Sequence, residues 1–207
     1  MISHALTIVR NELNSHLAVY GQANGVGLGN LSEGFVNGPG GVARDMLIFS
    51  VVNTMEEKTL KNLPHYVRND VTLSATYENP PTFLNFLILV TATHTNYADA
   101  LLVLSRAIRF FQFRNVFTQD NVAPASITTN APPNTLDRLQ GFKLIFDLYS
   151  ASIEEVNNLW GTLGGRQYPF VLYTLRMLDL QFSAVQSESG LITEVISEFS
   201  HTDAGAG

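Results

Sequence analysis

Five histidines, at positions 4, 16, 65, 94 and 201, are the first residues of this chain to consider for metal binding or proton transfer near neutral pH. No two of them stand at ligand spacing with a carboxylate, and no His-Glu-x-x-His run occurs. His4 and His16 fall on one N-terminal helical stretch but lie about three turns apart. Cysteine is absent, which removes thiolate nucleophiles, disulfides and cysteine-ligated zinc. Gly25-Val26-Gly27-Leu28-Gly29 superficially resembles a phosphate loop. Its spacing is GxGxG, no strand is expected before it and no Lys-Ser/Thr follows, so it reads as a flexible loop. No GxSxG elbow is present. Glu56-Glu57 and Glu154-Glu155 are adjacent pairs, and adjacent side chains diverge rather than converge on a substrate. No catalytic, cofactor-binding or metal-ligating set emerges, so neither an enzyme nor a cofactor is expected.

Three arginines and one tryptophan remain. Arg106 and Arg109 lie three apart on a helical stretch and share an edge; with Arg114 they are suited to bidentate contact with a partner's carboxylates. The alternative is a solvated face paired with Asp99. Trp160 keeps helical spacing with Val156 and Leu163 and reads as core.

The elements that position these residues follow from periodicity. Ile2, Leu6, Val9, Leu13, Leu17 and Tyr20 predict an amphipathic helix over residues 2–20, closed by Gly21. Residues 21–41 hold 8 of the 15 glycines and read as a flexible loop or glycine-rich hairpin. MLIFSVV (Met46 to Val52) and FLNFLILVTA (Phe83 to Ala92) predict strands buried on both faces. VTLSATY (Val71 to Tyr77) alternates like a strand. Tyr97, Leu101, Leu104, Ile108 and Phe111 mark a second helix over about residues 96–112, capped by Asn96. Asn115 to Asn134 reads as loop. Phe142 to Tyr149 alternates as a strand, and Ser152-Ile153-Glu154-Glu155 is a capping box that opens a third helix running to Leu163. Phe170 to Phe182 predicts a long strand. The fold class is α+β: a mixed β-sheet with three main helices, placed on one side. The expected organisation is a domain over 1–183 and a C-terminal tail, 184–207, in which Gln186 to Gly190 is a spacer. The tail's apolar residues Leu191, Ile192, Val195, Ile196 and Phe199 fit either a helix or a strand.

Composition bounds the partners. Of 207 residues, 45% are hydrophobic and 14% charged, and the net charge is −6, so no nucleic-acid partner is expected. All 12 Lys and Arg lie at or before Arg176; Asp179, Glu188, Glu194, Glu198 and Asp203 follow with no base among them. A weakly charged body of this kind suits a protein packed against neighbours. The N-terminal MISHALTIVRNELNSHL matches neither a signal peptide nor a membrane span, so the expectation is bacterial cytosolic synthesis and no membrane insertion.

Four ordered blocks carry a family resemblance. They are the N-terminal MISHALTIVRNELNSHL, SVVNTMEEKTLKNLP (Ser50 to Pro64), PPTFLNFLILVTATHTNYADALLVLSRAIRFFQ (Pro80 to Gln112) and LYSASIEEVNNLWGTLGGRQYPFVLYTLRML (Leu148 to Leu178). Together they resemble the tail-terminator, or cap, proteins of extracellular contractile injection systems of the anti-feeding-prophage type, a domain long of unknown function. The resemblance implies a phage tail-terminator-like fold and a homo-hexameric ring at the baseplate-distal end of the particle. Such a ring ends tube and sheath polymerisation and joins the two. Implied partners are further copies of itself, the inner tube protein, the sheath protein and, as a further candidate, a second cap protein. The particle would assemble in the cytoplasm and could be released. The alternatives are a tube-initiating or baseplate-connecting ring of the same particle and, from another class, a small hydrolase or ligand-binding domain. The glycine-rich 21–41 stretch lies outside the matching blocks.

Within this reading Leu6, Leu13, Leu104, Ile108, Trp160, Leu163 and Tyr173 are expected in the core. The interface candidates are Phe35 and Val36, the polar run Glu57, Lys58, Thr59, Leu60, Lys61 and Asn62, the arginines Arg106, Arg109 and Arg114, and the tail residues Val195, Ile196 and Phe199.

Overall fold

The structure, a computed structural model, describes residues 1–22, 25–35, 42–57, 66–69, 74–77, 82–180 and 187–190. Its contacts divide the chain into two compact units, Met1–Leu60 with Thr82–Leu180, and Lys61–Pro81 with Gln181–Gly207.

In the larger unit, α1 (Ile2–Ala18) buries Ala5, Leu6, Ile8, Val9, Leu13 and Leu17, the face its apolar spacing defines. It ends where Gly21 takes φ +77°, and the Gln22 N–H closes on the Leu17 carbonyl. The sheet contains β1 (Val26–Leu28), β2 (Leu47–Glu56), β5 (Thr82–Ala92), β6 (Val116–Thr118), β7 (Lys143–Tyr149) and β8 (Phe170–Leu180), in the order β1-β2-β5-β8-β7-β6. β1 pairs with β2 in parallel and the other ladders are antiparallel, so the sheet is mixed as expected. Three helices complete the unit: α2 (Tyr97–Phe113), the short α3 (Pro124–Thr128) and α4 (Ile153–Thr162).

The glycine-rich run differs from its sequence reading. Val26–Leu28 pairs with Leu47–Phe49. A Cβ on Gly27 would lie 3.2 Å from Ile48 Cδ1, and one on Gly29 would lie 3.1 Å from Val42 Cγ2. These glycines therefore permit side chains to approach closely in β1 and just after it. β1 is an edge strand, and its outer side is met by a side chain: the Val26 N–H donates to Asn14 Oδ1 at 2.9 Å and Asn14 Nδ2 donates to the Val26 carbonyl at 3.4 Å.

The helices also differ from the one-sided arrangement expected. Alternate residues of the central strands enter two separate cores. Leu47, Phe49, Phe86, Ile88, Val90, Tyr173 and Leu175 join α1 and α2, whereas Ile48, Leu89 and Leu172 join Trp160 of α4 on the opposite side. Strands buried on both faces need a cover on each, and α4 supplies the second.

The loop between α2 and β7 is less irregular than its sequence suggests, since it contains β6 and α3. It is pinned to α1 by three polar side chains. Buried His4 accepts the Leu139 N–H at Nδ1, which assigns the proton to Nε2 for donation to the Ile127 carbonyl, each at 2.9 Å. Asn11 Nδ2 donates to the Ser126 and Thr129 carbonyls. Glu12 accepts the Ala123 N–H at 2.8 Å and pairs with Arg114. These donors and acceptors satisfy loop backbone that packing would otherwise leave orphaned.

The smaller unit contains an antiparallel sheet in the order β3 (Tyr66–Asn69), β4 (Ser74–Tyr77), β9 (Ser187–Gly190). Ser187–Gly190 was expected to be spacer; it pairs with Ser74–Tyr77 because backbone partners are available there whatever the strand propensity.

Candidate docking surface

The sequence-derived candidates that fall among the described residues scatter over the larger unit. Phe35 is half-buried, packs edge-on against Tyr168 at 5.6 Å between ring centroids and carries the Arg44 guanidinium 4.5 Å above its ring. Glu57, directly after β2, accepts from Asn85 Nδ2 at 2.8 Å. Val36, Lys58, Thr59, Leu60, Lys61, Asn62, Val195, Ile196 and Phe199 lie outside the described residues.

The three arginines occupy different environments. Arg106 donates to Gln22 Oε1 at 2.8 Å and lies over the Tyr20 ring, so it ties α2 to the end of α1. Arg114 is held by Glu12 and donates to the Asn121 carbonyl at 2.7 Å. Arg109 is exposed with no hydrogen-bond or ion-pair partner among the described residues, so it is the freest of the three to meet an outside carboxylate.

The expected stripe on α2 is rotated. Ala100, Val103, Leu104, Ala107, Phe110 and Phe111 face the core. Ile108 was expected in the core and is 37% exposed, beside exposed Tyr97, Leu101, Leu102 and Phe113. Small Ala100 and Ala107 let the helix sit close to the sheet and turn larger apolar residues outward. Leu163 is half-buried rather than fully buried; Leu6, Leu13, Leu104, Trp160 and Tyr173 are buried.

Two further apolar surfaces were missed from sequence. The distal half of β2 exposes Val51 and Met55, and Leu148, Tyr149 and Ile153 are exposed around the start of α4. Between them lies a groove of about 340 Å³ lined by Val52, Met55, Leu87, Tyr149, Leu159 and Leu172, among others. The continuous apolar run Leu101 to Leu104 was the available signal that α2 is apolar on more than one face; strand alternation gave none for the groove. Scattered exposed apolar residues are ordinary, but an apolar helix face on one side of the sheet and an apolar groove on the other are each the kind of surface used to meet other proteins.

Electrostatics around the groove are local. Glu155 closes the capping box: Ser152 N–H donates to it at 2.7 Å and Tyr149 O–H at 2.8 Å. The Ser152 backbone bond first, then the Tyr149 hydroxyl, holds its carboxyl below the usual glutamate range, while the carboxylate in turn raises the Tyr149 phenol. Burial pushes Tyr173 up to about 12. Among the described residues no group of three His, Asp or Glu could hold a metal ion, and no helix is long and apolar enough to cross a membrane.

The fold is similar to that of a solved sheath/tube terminator, in the extended state, of the extracellular contractile injection system PVC. The TM-score is 0.58 at 14% identity, covering 96% of this chain and 64% of that one. This chain therefore spans less than two thirds of that terminator's length. A weaker likeness, TM-score 0.46 at 14% identity, covers 82% of this chain and 57% of the anti-feeding prophage tube-terminating cap. Among curated proteins none matches. A family match covers nearly the whole sequence, including three of the four blocks in full and most of the N-terminal one: over residues 4–194 the chain belongs to the Pvc16 N-terminal domain family.

Proposed function

We propose that this protein is the terminating cap of a contractile injection particle, acting by geometry rather than by turnover. The observation that carries the reading is the likeness of its mixed six-stranded fold to a sheath/tube terminator. The half-covered sheet face and the outward apolar face of α2 support it, because a ring subunit needs surface beyond its own core.

In this reading six copies close a ring through a heterologous contact, one patch docking on a different patch of its neighbour. The ring meets the last layer of tube and sheath with one face and offers no acceptor for a further layer on the other. Each contact is weak; six engaged together bind a sixfold polymer end by avidity. The partners are other copies of the chain, the inner tube protein, the sheath protein and a second cap protein, and assembly takes place in the cytoplasm. Residues 184–207 serve as a subunit-contact segment.

Deleting the gene and measuring particle lengths by electron microscopy tests this. Overlong, heterogeneous particles are expected; normal lengths with missing baseplates would instead assign the protein to the opposite end. Combining Val195→Asp with Phe199→Asp is expected to block assembly while circular dichroism stays native. An unfolded variant would remove the tail from the interface.

A further inference from the structure

The NLWGTLGG segment that helps to mark the family ends in a cavity that nothing above uses. Trp160 is 5% exposed, and its Nε1–H has no hydrogen-bond acceptor. A buried donor left unpaired is uncommon and calls for a reason. The indole lines a cavity of about 230 Å³ together with Leu31, Phe35, Leu163, Arg166 and Tyr168. At ~30 Å³ per water that volume corresponds to roughly seven waters, ample for one Asp or Glu side chain. Two left-handed glycines, Gly164 at φ +95° and Gly165 at φ +75°, turn the chain out of α4 beside it, and the Gly165 N–H closes on the Trp160 carbonyl at 2.8 Å.

Beside the cavity two arginines stand against one exposed carboxylate, Glu33, which lies between the lining residues Ser32 and Gly34. Arg166 lines it, and Arg44 sits over the Phe35 ring that forms one wall. Neither guanidinium has an ion-pair partner among the described residues. Asp45, next to Arg44, has its carboxylate engaged by the Thr95 N–H at 2.8 Å, and the cavity lining contains no carboxylate of its own. Aromatic walls, the lining Arg166, the Arg44 guanidinium over the Phe35 ring, neither arginine with an ion-pair partner among the described residues, and an indole N–H without an acceptor suit a carboxylate: planar partners for arginine and desolvation by the rings.

We propose that this cavity is a carboxylate-anchor pocket filled by an acidic side chain from residues 191–207 of an adjoining copy. The choice of occupant rests on charge complementarity. Residues 191–207 carry Glu194, Glu198 and Asp203 and no Lys or Arg. The inference rests on the ring reading given above and adds the subsite through which copies recognise one another.

The chain has one tryptophan, so 5-fluorotryptophan placed in the full-length protein gives a single ¹⁹F signal from the pocket. The synthetic peptide Leu191–Gly207 is titrated into dilute protein. A saturable shift is expected, absent with a peptide whose three acids are replaced by amides, and about tenfold weaker in affinity with Arg166→Gln. Self-association followed by sedimentation is expected to weaken about tenfold in Arg166→Gln and in Glu194→Gln/Glu198→Gln/Asp203→Asn alike, and no further when they are combined. An unmoved signal, an equal response to the amide peptide, or additive losses would overturn the pocket. A signal that moves only on adding tube or sheath protein would overturn the occupant. Failure of the ring reading is separately visible: wild-type protein that stays monomeric at every concentration while the acidic peptide still saturates the signal refutes the ring and supports the pocket's carboxylate chemistry.

Discussion

Beneath α1 and α2 the sheet packs Phe49, Ile88, Val90, Tyr173 and Leu175 against two helices of 17 residues each, whereas the same strands turn Ile48, Leu89 and Leu172 toward a helix of 10. The first side is centred on Phe111, 4.6 Å from Tyr173 and 5.0 Å from Phe146 between ring centroids. The second has a smaller core, an unpaired indole N–H, a cavity and a groove. The difference separates two jobs. One side holds most of the buried core of the larger unit, and the other leaves a groove and a cavity at the sheet surface.

The comparison breaks most readily at Phe111. Phe111→Ala is expected to cost about 4 kcal/mol in urea unfolding, since five aromatic neighbours cannot all collapse into the space left. A loss below about 1.5 kcal/mol, far under the range for such a truncation, would mean that the first side is loosely packed. Next is Glu12→Gln. It leaves Arg114 without its charge partner and weakens the hold on the loop after β6; because Arg114 is 31% exposed, about 2 kcal/mol is expected rather than the full cost for a deeply buried pair. Faster amide exchange at Ala123 should accompany it. On the second side, Trp160→Phe removes a donor that has no acceptor, so unfolding is expected to shift by no more than about 1 kcal/mol. A loss as large as that at Phe111 would show that the two sides are packed more alike than described.

The smallest effect is in pH. Burial raises Tyr173, so its contribution is complete below the ordinary tyrosine value and is lost as pH rises through about 12. Hydrogen bonding lowers Glu155, so its contribution is present above the unfolded glutamate value and is lost as pH falls through its depressed one. Acid should therefore loosen the start of α4 before the side under α2, whereas alkali acts on both, through Tyr149 at the start of α4 and Tyr173 under α2, as read by amide exchange along the two helices. The reverse order would contradict the assignment of the two sides.

Much of this was legible in the residues. The α1 stripe, the Asn96 cap that accepts the Ala98 N–H, and the Ser152–Glu155 box are local patterns whose partners lie within a few positions. What could not be read depends on distant partners. Gly27 leaves room for the side-chain ends of Ile48 and Met46, the loop after β6 is bonded by His4, Asn11 and Glu12 more than a hundred residues away, and small Ala100 and Ala107 lie on the buried face of α2. The candidate interface was the least legible part, because exposure depends on which faces the fold leaves open. Charge alone did not separate Arg114, bound within its own chain, from Arg109, which has no such bond among the described residues.

The Asn14 amide at Val26 has a further consequence. Exposed strand edges risk zipping edge to edge into runaway fibrils at high concentration, and a three-residue border already offers little to zip. With a side-chain amide in the seat a foreign backbone would take, that border is sealed at Val26, and a sticky ribbon cannot be seeded there.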